Sequence, residues 1–289
     1  MNSELNSQSF LPDLSKDAVF RPCSREPFEF KDYLAGLEIC MEKRDYAAWW
    51  AINFCHLSYC KKDSIKKKLP ENCRLVEIIE ERTQLAYCVE AGGYHFVIFQ
   101  GSCAPEDTLL DLDFFPKKDE SLSMHRGFHK AFNYLWPELQ NLIDKIDPEK
   151  LILCGHSLGG ALAYILSTKV KYHSLYTFGA PRVVFNAGNT ECKNIYRYVN
   201  CSDAVPTLPP AVFGFKHIGQ LIFIDDNQII HEEPGFNSIF TRISSSGKFF
   251  AKGKWITKGN APTRSLVDHA PVNYSRALSR HLLQEQLEN

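Results

Sequence analysis

Leu151-Ile152-Leu153-Cys154-Gly155-His156-Ser157-Leu158-Gly159-Gly160-Ala161 reads as a buried strand, a tight G-x-S-x-G turn and a helix start, in that order. A strand that reverses directly into a helix forces the residue at its apex into a strained backbone conformation. Side chains two positions before and two after that apex would collide, and Gly155 and Gly159 remove the collision. Ser157 would then present its Oγ at the carboxyl edge of a sheet, with a helix N-terminus behind it whose N–H groups favour developing negative charge. That is a nucleophile's position. An ordinary Gly-rich turn with a capping serine fits less well, given the apolar strand before it and the small-residue helix after it.

Outward from this turn, short apolar runs alternate with helix-length segments: strand 151–154, helix 158–169, strand 175–178 and strand 195–199. The alternation predicts an α/β fold with a mostly parallel central sheet and helices on both faces. Upstream, strands are expected over 75–79, 84–90 and 94–99, with Ala91-Gly92-Gly93 turning between the last two. Helices are expected over 28–40 and 45–59, and the Lys61 to Lys68 run breaks the pattern after them. Downstream, 219–224 and 228–231 flank Asp225-Asp226-Asn227 as an antiparallel hairpin, and a terminal helix spans 275–286. Residues 1–27 lack periodicity and are expected as a flexible or strapped tail, with 28–289 forming a single domain.

A serine hydroxyl is almost un-ionised at neutral pH, so it needs a base within hydrogen-bond reach and an acid that orients the base. On a strand–elbow–helix scaffold the chain order is serine, acid, histidine, which directs the search to the C-terminal half. Strand 195–199 runs into Asn200-Cys201-Ser202-Asp203-Ala204-Val205-Pro206, placing Asp203 just past a carboxyl edge, where sheet-based sites lie. Asp225 and Asp226 are weaker acids for this role because a hairpin turn accounts for them. Of His217, His231 and His269, the first leads into a strand and the second ends one. His269 sits in Val267-Asp268-His269-Ala270-Pro271, read as a loop before the terminal helix, and loops on a rigid scaffold favour catalytic bases. His156 is expected to pack against its surroundings and not to titrate.

Hydrophobic residues make up 44% of the chain, enough for a sizeable core. With 33 basic and 34 acidic side chains the formal charge is -1, so no overall field draws the chain to nucleic acid, and no nucleic-acid partner is expected. No apolar run approaches the roughly 18 residues of a membrane span. No signal peptide is visible, so a cytoplasmic or peripheral membrane location is expected, and export by an unconventional route would fit equally. The ten cysteines include no C-x-x-C pair and lie in apolar stretches, which reads as mostly reduced, buried small hydrophobes. His125 and His129 stand four apart without an evident third ligand; neither a metal nor a cofactor is expected.

Together these motifs resemble the class 3 (fungal-type) lipase family, α/β-hydrolases that act on acylglycerols and phospholipids, over most of the chain from about 47 to 275. Residues 155–161 look like the family's elbow, Thr177-Phe178-Gly179-Ala180-Pro181-Arg182 like its next strand, and Asn200 to Pro206 like its acid loop. His125-x-Gly127-Phe128 resembles its helix entry and Asp268-His269 its base. Phe99-Gln100-Gly101-Ser102 is similar to the strand end whose hydroxyl residue forms half of the family's oxyanion hole. The resemblance thus gives Ser102 that role beside the backbone N–H of Leu158. Two departures stand out: Gln100 where the family commonly has Arg, and four residues between His269 and the aromatic Tyr274. The implied activity is lipid-ester hydrolysis through Ser157, His269 and Asp203 and an acyl-enzyme. A phospholipase A or a lipid acyltransferase on the same scaffold is the alternative, and a catalytically silent lipid-binding module is the rival from another class.

This family often carries a lid between the oxyanion strand and His125. There Pro105 suits a helix's first turn, Glu106 and Asp107 its dipole and Pro116 its end, making Leu109, Leu110, Leu112, Phe114 and Phe115 candidate lid residues. Farther on, Lys248, Lys252, Lys254 and Lys258 interleave with Phe249, Phe250 and Trp255, a pattern suited to docking on an acidic lipid surface. The Lys61 to Lys68 run reads as a solvated connection. The expected partner is a lipid substrate at a membrane or droplet surface.

Overall fold

The computed structural model describes residues 10–34, 43–102, 116–119, 122–185, 194–232 and 264–288. The candidate lid residues Leu109, Leu110, Leu112, Phe114 and Phe115 lie outside them, as do the candidate membrane contacts Lys248, Phe249, Phe250, Lys252, Lys254, Trp255 and Lys258.

The helices are α1 (Lys16–Phe20), α2 (Arg44–Leu57), α3 (Lys62–Lys68), α4 (Arg126–Ile143), α5 (Leu158–Ser167), α6 (Arg264–His269) and α7 (Pro271–Glu288). The strands are β1 (Cys73–Glu81), β2 (Gln84–Ala91), β3 (Tyr94–Phe99), β4 (Pro116–Asp119), β5 (Leu122–His125), β6 (Leu151–His156), β7 (Ser174–Phe178), β8 (Val184–Phe185), β9 (Ile195–Asn200), β10 (Phe215–Lys216), β11 (Gln220–Ile224) and β12 (Ile230–Glu232). Among the described residues they make an eight-stranded sheet, β1-β2-β3-β6-β7-β9-β11-β12, and a four-stranded sheet, β10-β8-β5-β4. The centre of the large sheet, β3 through β11, pairs in parallel, and antiparallel strands finish both edges.

β6 and β7 are buried along their whole length, as a strand covered on both faces must be. α2 and α7 pack on one face of the sheet, with Trp49, Phe54 and Leu278 against Phe96, Ile98 and Cys154. α4 and α5 cover the other, where Phe128, Phe132, Leu135, Leu139 and Leu142 form the apolar stripe of an amphipathic helix. The expected mostly parallel sheet with helices on both faces is the observed one.

Several expectations change. No α-helix spans Phe28 to Leu34: Phe28 has φ +63°, its N–H is captured by Asn53 Oδ1 at 2.7 Å, and its ring is held among Trp49, Trp50 and Phe54. The lysine run is the helix α3. Buried Ile65 anchors it, Asp63 lies in its first turn and Lys66, Lys67 and Lys68 in its last, in the order the helix dipole favours. His269 ends the short helix α6 and is not in a loop; Pro271 then opens α7, where a missing N–H is harmless.

The cysteine reading is also corrected in part. Cys23 and Cys60 form a disulfide across 37 positions, whereas Cys55, Cys73, Cys88, Cys154 and Cys201 are free. The bond became possible because residues 10–34 are laid back over the molecule. Asp13 N–H donates to Asn273 Oδ1 at 2.6 Å, Arg276 pairs with Glu29 at 3.1 Å, and Ala18 packs on Ala270 and Val272. No described helix is long and apolar enough to cross a membrane.

Candidate active site

Ser157, between β6 and α5, adopts φ +57° and ψ −130°, a region that costs a non-glycine residue about 1–3 kcal/mol and persists only where its surroundings enforce it. They do. The Ser157 N–H donates to Phe178 O at 2.9 Å, and Gly160 N–H donates to Ser157 O at 3.0 Å. A Cβ on Gly155 would overlap the Gly159 carbonyl, and one on Gly159 would overlap the carbonyl of Phe99, so both positions require glycine for close approach.

Asp203 follows the carboxyl end of β9 and is fully buried. An ionised carboxylate can only accept. Asp203 Oδ2 accepts from His269 Nδ1 at 2.9 Å and from the Tyr274 hydroxyl at 2.6 Å, while Oδ1 accepts from Val205 N–H at 2.9 Å. In the neutral ring this leaves the other nitrogen of His269, Nε2, as the proton acceptor. Tyr274 Oη in turn accepts from Asn200 N–H at 3.0 Å, which ties the end of β9 to α7. α6 grips the acid loop on either side of Asp203: Ala204 N–H donates to Ser265 Oγ and Ser202 N–H to Asp268 Oδ2, both at 3.0 Å. Burial pushes the Asp268 carboxyl up to about 6, outweighing the guanidinium of Arg264, whose Nε donates to it at 2.6 Å. Gly179, at φ +59°, leaves room for the pair, since a Cβ there would fall 2.6 Å from Asp203 Oδ2 and 2.9 Å from His269 Nδ1.

Pairing of Phe99 with Gly155 ends the β3–β6 ladder beside the elbow, and a Cβ on Gly101 would fall 2.7 Å from the His156 carbonyl oxygen. Ser102, Tyr59, His156 and His269 line one cleft, walled further by Val19, Pro22, Leu266 and Pro271. The side-chain amide of Gln100 donates to the Ser58 carbonyl, so a neutral bond steadies this strand end where the family resemblance led us to expect arginine. His156 is held next to His269, the two ring centroids 4.6 Å apart. His269 Nε2 is buried and makes no hydrogen bond among the described residues, so the Ser157 hydroxyl is not bonded to it. Catalytic hydrogen bonds are often long before substrate arrives.

The competing candidates go elsewhere. His217 Nε2 lies 2.7 Å from the carbonyl of Pro206, and His231 pairs with Asp225 at 2.9 Å on the β11–β12 hairpin. The sequence reading missed the parts of the site that support others: Tyr274 on Asp203, Ser265 and Asp268 on the acid loop, and Tyr59 on His156. For Tyr274 a signal existed, an aromatic residue shortly after His269.

Residues 96–213 match the model of the family described as lipase (class 3). A lipase of Rhizomucor miehei is 32% identical over 156 residues, 46% of this chain and 42% of the relative. Over this stretch the chain is similar to the class 3 lipase family. Another relative, a secreted mono- and diacylglycerol lipase of Fusarium solani, is 31% identical over 118 residues, 35% of this chain and 34% of that one. The chain thus spans less than half the length of the curated relatives it matches. A solved triacylglycerol lipase, described as having a serine protease triad at its catalytic centre, superposes with a TM-score of 0.57 at 24% identity, covering 67% of this chain and 88% of that one. The chain has the α/β-hydrolase fold.

Proposed function

We propose that this chain is a serine carboxylic-ester hydrolase that acts on lipid esters, with acylglycerols as substrates. The observation that carries the reading is the buried Asp203–His269 pair at 2.9 Å beside a strained elbow that presents Ser157. Ser157 Oγ attacks the ester carbonyl as His269 Nε2 takes its proton, and Asp203 holds the imidazole tautomer and stabilises the imidazolium. The proton passes to the departing alcohol, and water repeats the attack to release the fatty acid. Ser102 and the Leu158 N–H donate to the tetrahedral oxyanion, each worth about 10² to 10³ in kcat.

The choice of a neutral ester over a phospholipid rests on the cleft. Its described lining holds no Lys, Arg, Asp or Glu, and Val19, Pro22, Leu266 and Pro271 supply apolar walls. The place of action is a lipid surface, and the Cys23–Cys60 disulfide favours an oxidising compartment. Free fatty acid released from monoacylglycerol, triacylglycerol and phosphatidylcholine emulsions, with Ser157→Ala as the blank, tests the reading. Release from the acylglycerols well above phosphatidylcholine supports it, and release no greater than the blank from every ester refutes it.

A further inference from the structure

His156 sits beside the proposed nucleophile, is 2% exposed, and spends both ring nitrogens on the neighbourhood of the base. Its Nε2 lies 2.7 Å from the backbone oxygen of His269, and its Nδ1 lies 2.6 Å from the hydroxyl of Tyr59. A carbonyl can only accept, so Nε2 carries the hydrogen. Burial, reinforced by the adjacent His269 ring, holds the His156 imidazole well below its ordinary range, so the ring is neutral. Nδ1 of that tautomer has only a lone pair to offer, and the Tyr59 hydroxyl donates to it. The proton order is therefore fixed: Tyr59 O–H to His156 Nδ1, then His156 Nε2–H to the His269 carbonyl.

This chain of bonds joins three parts of the site. Tyr59 lies just past α2, and a Cβ on Gly101 would overlap its hydroxyl, so the same oxygen abuts the strand end that leads to Ser102. His156 ends β6 immediately before Ser157. The His269 carbonyl belongs to the junction of α6 and α7. With no bond of its own among the described residues at Nε2, the His269 ring takes its placement from Asp203 on one side and from its backbone on the other. Only a rigid ring with a donor and an acceptor on opposite edges spans both partners, since a side-chain amide carries both functions at one end.

We infer that His156 is a positioning residue that sets the attitude of His269 toward Ser157 through the His269 backbone, with Tyr59 fixing its tautomer. The inference rests on the proposed roles of Ser157 and His269. It is neither a second base nor a mere packing residue, and each of those readings predicts a different outcome.

The test measures kcat and KM on a soluble butyrate ester, the second-order rate of labelling by a fluorophosphonate, and thermal unfolding. It uses the full chain and the variants His156→Leu, His156→Gln, Tyr59→Phe and Ser157→Ala. His156→Leu is expected to lower kcat and the labelling rate about 10- to 100-fold with KM changed less than about 2-fold. His156→Gln, which keeps an N–H within reach of the His269 carbonyl, should recover about half of that loss on a logarithmic scale. Tyr59→Phe should lower kcat about 3- to 10-fold at unchanged KM, and it gives the answer if His156→Leu does not fold. Parent-like kcat and labelling in His156→Leu overturn the inference. So does equal impairment of His156→Leu and His156→Gln in proportion to their loss of Tm, which is the signature of packing alone. If the parent chain itself resists labelling, as Ser157→Ala must, the functional reading falls and the inference with it.

Discussion

His269 donates its Nδ1–H to Asp203 Oδ2 across 2.9 Å, and neither side chain is open to solvent. A carboxylate at this position dictates the tautomer, because it has nothing to donate. Asp203→Asn keeps the shape but can turn an N–H₂ toward the ring, which puts the proton on the wrong nitrogen. We expect kcat on a soluble ester to fall about 10³- to 10⁴-fold, with far-UV circular dichroism and Tm close to the parent's. Retention of a tenth or more of the parent kcat would mean that the tautomer is set elsewhere.

Tyr274 is the other donor to Asp203 Oδ2, at 2.6 Å, and it holds the last residue of β9 through Asn200 N–H. Tyr274→Phe removes one bond to a charged acceptor and strands one buried backbone donor. Losses of this kind run at about 1.5–3 kcal/mol, so kcat/KM should drop by about 10-fold or more, together with a measurable fall in stability by urea unfolding. Unchanged kinetics would assign Tyr274 to packing.

Two buried groups tilt stability in opposite directions with pH. His56 is kept neutral down to about 4 by burial, whereas the unfolded chain takes up that proton near 6.5, so folding weakens as pH falls between those values. Asp268, pushed up to about 6 by burial, holds a proton that the unfolded chain has lost above about 3.8, so folding weakens as pH rises between those values. Each effect amounts to about 3 kcal/mol by the usual conversion, and in the parent they largely cancel. Single variants unmask them. Relative to the parent, His56→Gln should gain stability as pH is lowered from about 6.5 to about 4, and Asp268→Asn should gain as pH is raised from about 4 to about 6. Chemical unfolding at several pH values reads both slopes, and two slopes of the same sign would be incompatible with this assignment.

The Cys23–Cys60 bond closes a loop of 37 positions. Loop-closure entropy removed from the unfolded chain makes such a bond worth about 4 kcal/mol. Replacing both cysteines by Ala should therefore lower Tm by roughly 6 °C, and a reducing agent should lower the parent's Tm but not the variant's. A variant as stable as the parent would show that residues 10–34 are held by their other contacts alone.

What could be read in the sequence was what local pattern encodes. The fully apolar run 151–154, the glycines around Ser157 and the alternation of runs through 199 all act within a few residues of themselves, and they located the sheet and the elbow. His269 was singled out for lying in a loop, and the structure amends that reason: it ends a helix, since Pro271 starts a new one and does not close a loop. The pieces that stayed hidden depend on distant chain segments meeting. Tyr274 becomes a donor to Asp203 only because α7 crosses the end of β9, and Cys23 meets Cys60 only because residues 10–34 fold back. The small sheet of β4, β5, β8 and β10 is built from strands too short to show a period. The lysine run became a helix because a single buried residue, Ile65, was enough to anchor it.

The most direct test of the central claim is to treat the native chain with a fluorophosphonate and locate the adduct by peptide mass spectrometry. The account predicts one adduct, on Ser157, formed in parallel with loss of esterase activity and absent after denaturation. Full inactivation with the adduct on another residue, or an active chain with Ser157 left unmodified, would contradict it.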